Sequence, residues 1–200
     1  MTREIETRCL HLEEEEGRSV NYGAISYPIY QTATYAHPGV GKSTGYDYTR
    51  LQNPTREHLE KTVASLENGI DALALSTGMA AITLMMELFE PGDHLIVDSD
   101  LYGGSIRLFQ NVSKKNRIFF TSIDCYKENV ETYINEKTRA VYIETPTNPM
   151  MNVTDITKLA KITKKHQILL IVDNTFLSPY FQNPLDLGAD LVVHSGSKYL

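Results

Sequence analysis

Cysteine is scarce in this chain: of its 200 residues, Cys9 and Cys125 alone carry a thiol. They stand far apart and outside any CxxC spacing, which argues against both a disulfide framework and a cysteine-based zinc site. Such usage suits a reducing compartment, and a cytoplasmic location is expected. No apolar run approaches bilayer-spanning length, so no membrane partner is expected. The opening stretch MTREIETRCLHLEEEEGRS has no apolar segment and is not expected to act as a secretory signal. Excess positive charge is also missing. Lys and Arg number 19 against 25 Asp and Glu, a net charge of -6. An acidic surface does not attract nucleic acid or anionic lipid, so neither is expected as a partner. There is no internal repeat, and the run Glu13 to Glu16 reads as a solvated charge cluster.

What is present is an ordinary globular balance, with 42% hydrophobic and 22% charged residues, enough for one good core. Up to Asn53 there is little regular periodicity. The stretch ISYPIYQTATYAHPGVGKSTGYDYTRLQNP is rich in Tyr, Thr, Gly and Pro, and residues 1–53 read as an extended arm. Such an arm packs either on its own subunit or on a neighbour. NPTREHLEKTVASLENG then predicts a helix, with Asn53 as cap, Pro54 in the first turn, Leu59, Val63 and Leu66 on one face and Gly69 closing it.

Beyond this the chain alternates. DALALS, HLIVD, RIFFTSI, RAVYIE, ILLIVD and ADLVVHS read as strands. GMAAITLMMELF, SIRLFQNVSKK, KENVETYINE and DITKLAKITKKH read as helices between them. About six strands separated by helices predict an α/β fold, a mostly parallel sheet flanked by helices on both faces. Unbroken apolar runs such as LLIVD imply strands buried on both sides.

Ligands of open parallel sheets sit outside the carboxyl ends of the strands. Several strands deliver polar residues there: Ser76, Thr77 and Gly78 after DALALS; Glu144, Thr145 and Asn148 after RAVYIE; Asp173 after ILLIVD; His194, Ser195, Ser197 and Lys198 after ADLVVH. In STGMAAI a small-residue turn enters an apolar helix, so the amides of Gly78 and Met79 are expected to be free for an anion, beside the hydroxyls of Ser76 and Thr77. An ordinary capped turn is the plainer alternative. Asp173 ends the most apolar strand, where a charge needs a cationic or proton-donating partner; a simple turn cap is its plainer reading. Lys198 follows Ser-Gly-Ser, and a desolvated lysine amine can condense with a carbonyl, although most lysines are surface residues. An anion cradle, a central acid and a terminal lysine fit one cofactor, pyridoxal 5'-phosphate, with its phosphate, ring nitrogen and aldehyde. A competing class is raised by AHPGVGKS (Ala36 to Ser43), a relaxed nucleotide-loop spacing with alanine in the first glycine's place. A nucleotide loop should follow a buried strand and open a helix, and the flanking residues predict neither.

The segments YDYTRLQNPTR, STGMAAI, DLYGGSIRLF, IETPTNP, VDNTFLSPYFQNPLDLGAD and HSGSKY, taken in order, resemble the Cys/Met-metabolism, or trans-sulfuration, family of pyridoxal-phosphate-dependent enzymes. The resemblance covers nearly the whole chain. It implies the large domain of a fold type I transferase over residues 54–200. It also implies a sulfur-containing or acylated amino-acid substrate. By the same resemblance Lys198 bonds the cofactor and moves protons on the substrate, while Asp173 pairs with the ring nitrogen. Gly78 and Met79, with Ser76, Ser195 and Ser197, hold the phosphate. Tyr102 stacks on the ring and assists proton transfer, and Asn148 lies near the ring hydroxyl and the substrate carboxylate. Tyr48 and Arg50 reach the phosphate of a neighbouring subunit, so a homo-oligomer, a dimer of dimers, is implied. Many relatives have threonine where Ser197 stands, which keeps the hydroxyl. The family pattern continues past the lysine into a small C-terminal domain bearing a substrate-binding arginine. A chain ending at Ser-Lys-Tyr-Leu therefore resembles a truncated form, expected to be weak or inactive alone. A non-enzymatic remnant that pairs through its arm is the alternative.

Overall fold

The computed structural model describes residues 4–11 and 24–200; the Glu13 to Glu16 cluster lies outside them. The chain divides into two compact units, residues 1–74 and 75–200. In the first, α1 (Ile5–Leu10) and α2 (Pro54–Leu66) are the helices among the described residues. The Asn53 side chain accepts the Thr55 amide at 2.8 Å, so the expected cap forms. Its amide group also donates to the Tyr30 carbonyl at 3.1 Å, fastening the preceding segment to the head of α2. That segment turns back on itself: Thr34 bridges Tyr48, and the Thr49 amide donates to the Ala33 carbonyl at 2.9 Å.

The end of α2 differs from expectation. Asn68, not Gly69, takes the left-handed conformation, with φ of 55°, a position asparagine tolerates because its short side chain hydrogen-bonds locally. The Gly69 amide returns to the Ala64 carbonyl at 2.8 Å. Leu66 is buried, but Leu59 is exposed. In AHPGVGKS, Gly39 and Lys42 bridge each other across a tight turn. The next described helix begins only at Pro54, so the helix a nucleotide loop requires does not follow.

The second unit holds a parallel five-stranded sheet in the order β2-β1-β3-β4-β5. The strands are β1 (His94–Asp98), β2 (Phe119–Ile123), β3 (Thr138–Glu144), β4 (Leu169–Asp173) and β5 (Leu191–Val193). Side chains alternate between two cores. Leu95, Val97, Ala140, Tyr142, Ile171 and Val193 face α3 (Gly78–Met86) and α4 (Gly103–Arg107), which continues through a π-helical stretch, Leu108–Ser113. Ile96, Val141, Ile143, Leu170 and Val172 face α5 (Ile156–His166). Both faces are covered, which is why the central strands read as unbroken apolar runs. Leu95, Ile96, Val141, Ile143, Leu170 and Ile171 are fully buried, and each such side chain contributes about 1.5–3 kcal/mol. In α5 the Asp155 carboxylate accepts the Lys158 amide at 3.0 Å, and Ile156, Leu159, Ala160 and Thr163 form the buried face.

Two expected elements are absent or reduced. DALALS joins no ladder among the described residues, and Leu73 and Leu75 are exposed. Its composition suits a strand, yet a strand exists only with a hydrogen-bonded neighbour. KENVETYINE yields only a 3-10 turn at Val130–Tyr133, in which Val130 is the buried side chain. One apolar anchor does not repay helix nucleation. A short helix, α6 (Ser178–Phe181), follows β4. Among the described residues no helix is long and apolar enough to cross a membrane.

Candidate active site

The sheet order reverses direction at β1, so the helices after β1 and β3 lie on opposite faces and leave a crevice at the carboxyl ends of these strands. The residues at that edge are joined by short contacts. Glu144 ends β3 and is the register partner of Asp173, which ends β4; neighbouring strands run about 4.8 Å apart. Glu144 and Asp173 share the parity of Tyr142 and Ile171, and therefore face the α3 and α4 side. Both carboxyls are buried. The Tyr142 hydroxyl donates to Asp173 Oδ2 at 3.3 Å, and the Thr175 amide donates to Oδ1 at 3.0 Å. Glu144 Oε2 accepts the Tyr102 amide at 2.8 Å, at the head of α4.

The remaining pieces close around this pair. A Cβ placed on Gly104 would collide with the Tyr102 ring and lie 2.8 Å from Met79 Sδ, so α4 and the head of α3 are in close contact there. A Cβ on Gly78 would lie 2.8 Å from the Ser195 Cβ; only glycine admits this approach of α3 to the turn after β5. The Ser195 amide donates to Thr175 Oγ1 at 2.9 Å, two residues beyond Asp173, and the Lys198 amide donates to the Ser195 carbonyl at 3.2 Å. The Phe176 ring meets Tyr199 edge-on at 5.7 Å between centroids. Thus the segments bearing Asp173 and Lys198 pack on each other.

At the head of α3 the Thr77 hydroxyl caps the Ala80 amide at 2.9 Å, and the Ala81 amide returns to the Thr77 carbonyl. The amides of Gly78 and Met79 have no protein acceptor among the described residues. The turn is capped, as its plainer reading required, and still presents two free donors. Ser76, Ser197 and Lys198 are exposed, and Tyr102 is half-exposed. Asn148 is exposed in the loop after β3, which Asp100 pins: its Oδ2 accepts the Thr147 hydroxyl and the Met150 amide. Tyr48 and Arg50 belong to the first unit, where the Arg50 guanidinium lies 5.0 Å over the Tyr48 ring.

Burial dominates the electrostatics. It pushes the Glu144 carboxyl up to about 7, with Asp173, Asp100 and Asp98 adding and the Tyr102 amide opposing. It also raises the Tyr142 hydroxyl well above its ordinary range, assisted by Asp173 and Glu144. Asp98, fully buried on the α5 side with Oδ2 unpartnered, is pushed up to about 6 by the same desolvation. Free amides and a serine for an anion, a buried carboxylate for a protonated ring nitrogen and an amine for a carbonyl form a donor set that fits pyridoxal phosphate. Thr175, Tyr142 and Gln182 are supports that sequence reasoning did not single out. Gln182 Nε2 donates to the Thr145 carbonyl at 3.0 Å and to Asn174 Oδ1 at 2.9 Å, locking the residue after Asp173 to the end of β3.

A family model described as Cys/Met metabolism PLP-dependent enzyme matches residues 6–200. The chain is 49% identical to a Bacillus subtilis protein named cystathionine gamma-synthase/O-acetylhomoserine (thiol)-lyase, covering 100% of this chain and 53% of that one. It is 52% identical to the Bacillus subtilis cystathionine gamma-lyase, covering 89% of this chain and 47% of that protein. The crystal structure of cystathionine gamma-lyase from Lactobacillus plantarum complexed with L-serine superposes with a TM-score of 0.91 at 43% identity, covering 98% of this chain and 51% of the other. The chain spans about half the length of the curated relatives it matches.

Proposed function

Because the chain belongs to the Cys/Met-metabolism family of pyridoxal-phosphate-dependent enzymes, we propose that it forms the cofactor-binding part of a trans-sulfuration enzyme. The reading is a cystathionine γ-synthase, which replaces the acyl group of an O-acylhomoserine by cysteine. One observation carries the cofactor-binding reading: Asp173, Glu144, Tyr102, the head of α3 and the turn bearing Lys198 are linked at one sheet edge by consecutive contacts. The name of the 49%-identical relative leans toward the synthase, and that of the 52%-identical relative toward a lyase.

Each residue has a chemical task. The amides of Gly78 and Met79, with Ser76, Ser195 and Ser197, bind the phosphate at the positive end of α3. Asp173 holds a proton on the ring nitrogen, and its own orientation is set by Tyr142 and the Thr175 amide. When bound, the cofactor draws electron density from the substrate's reacting carbons. Lys198 Nζ would hold the cofactor's aldehyde and would move protons on the substrate's carbons. Tyr102 covers the ring, excludes water and assists this transfer. Asn148 orients the ring hydroxyl and the substrate carboxylate. Tyr48 and Arg50 serve the phosphate of a neighbouring subunit in a homo-oligomer, a dimer of dimers, through the arm of residues 1–53. The cysteine usage favours a cytoplasmic setting.

Lyases of cystathionine or methionine and the sulfhydrylase of O-acetylhomoserine use the same cofactor chemistry. The test is product analysis of the whole protein given O-acylhomoserine plus cysteine, cystathionine alone, or methionine alone. Cystathionine formation exceeding both cleavages is expected; faster cleavage of cystathionine transfers the protein to the lyases.

A further inference from the structure

Glu144 is used by no step above, yet it is one of the most constrained side chains in the site. It is buried, lies one strand from Asp173 in register, and receives the Tyr102 amide at 2.8 Å. We propose that Glu144 is a positioning residue for this site: the proton-bearing member of a carboxyl pair with Asp173, leaving the negative charge to Asp173 while anchoring Tyr102 at the head of α4. The inference rests on the cofactor reading above and deepens it.

The geometry requires a division of labour. Two like charges on adjacent strand ends, both withdrawn from water, repel each other strongly, so one carboxyl holds a proton. The hydrogen bonds distinguish the two. Asp173 receives two donors, the Tyr142 hydroxyl and the Thr175 amide, which favour a charged acceptor. Glu144 receives one, the Tyr102 amide, which a neutral carboxyl oxygen can accept as well. The titratable groups that act on Glu144 are Asp173 on β4, Asp100 just past β1, Tyr142 on its own strand and, from the opposite face of the sheet, Asp98 at the end of β1; each acid opposes a charge on Glu144. Its carboxyl is accordingly displaced upward, to about 7. The anchoring half of the role follows from the same bond: Tyr102 stands at the head of α4, and its amide on the Glu144 carboxyl fixes where that ring begins.

The test uses the whole protein and two variants, Glu144→Gln, which keeps shape and acceptor without a titrating proton, and Glu144→Ala, which removes the acceptor. Carbon-13 NMR of carboxyl-labelled glutamates in the cofactor-free protein should show one resonance titrating near neutrality, missing from Glu144→Gln. Pyridoxal-phosphate affinity should change by less than about threefold in Glu144→Gln and weaken by about tenfold in Glu144→Ala, the worth of one buried hydrogen bond. If the alanine variant does not fold, the glutamine arm decides alone. A near-neutral glutamate resonance that survives Glu144→Gln overturns the proposal, as does equal loss of affinity in two folded variants. A wild-type protein that takes up no pyridoxal phosphate overturns the functional reading instead, whatever the resonance does.

Discussion

Lys198 and Asp173 are expected to fail in different ways when replaced. Lys198 is exposed in a turn, so Lys198→Ala should leave stability within about 0.5 kcal/mol while the cofactor is no longer retained on denaturing gel filtration. Asp173→Ala strips an acceptor from the Tyr142 hydroxyl and the Thr175 amide. It should lower turnover of the whole protein by about two orders of magnitude or more, read by steady-state kinetics on protein that stays soluble. Gly78→Ala forces a Cβ to within 2.8 Å of Ser195. The clash should cost about 1–3 kcal/mol in urea unfolding and weaken cofactor binding together. Asp98 gives a pH signature away from these residues. Its carboxyl is raised from 3.8 to about 6 in the folded chain, so the folded state holds that proton more tightly than the unfolded one. The resulting stability is complete below the lower value and is lost as pH rises through the upper one. Asp98→Asn should therefore stabilise the protein by about 1–2 kcal/mol at pH 7.5 and change nothing below pH about 4, a difference visible in urea midpoints at the two pH values. Lys198, Asp173 and Gly78 are legible in the sequence because each stands in a short motif at a strand or turn boundary. The tie from Glu144 to Tyr102 is not, since the partners are 42 residues apart and meet only when β1 and β3 pair.

At the scale of elements, the same limit explains what sequence patterns reveal. HLIVD and ILLIVD announce themselves because neighbours bury both of their faces. DALALS has the same composition, yet its ladder partner is not encoded in the run itself, and no described strand pairs with it. The helix α5 is legible from Asp155 and its four-residue apolar spacing, whereas KENVETYINE offers propensity without a buried face. The helix α2 shows how one cap serves two elements. Asn53→Ala removes both the Thr55 cap and the bond to the Tyr30 carbonyl. The expected cost is about 1–2 kcal/mol, measured by urea unfolding, with hydrogen exchange rising first at residues 55–57 and in the segment around Tyr30.

For the molecule as a whole, the parallel sheet converts scattered sequence positions into one edge: Gly78, Tyr102, Glu144, Asp173 and the turn after β5 meet there because the carboxyl ends of parallel strands lie side by side. The proposed function then has one ligand held at two places, by the amine of Lys198 and by the carboxylate of Asp173. The most direct measurement loads the whole protein with pyridoxal phosphate, reduces it with borohydride, digests it and locates the added mass by peptide sequencing. The account predicts the label on Lys198, and the same yield of labelled peptide falling sharply in Asp173→Ala at limiting cofactor. A label on another lysine, or a yield indifferent to Asp173, would contradict it.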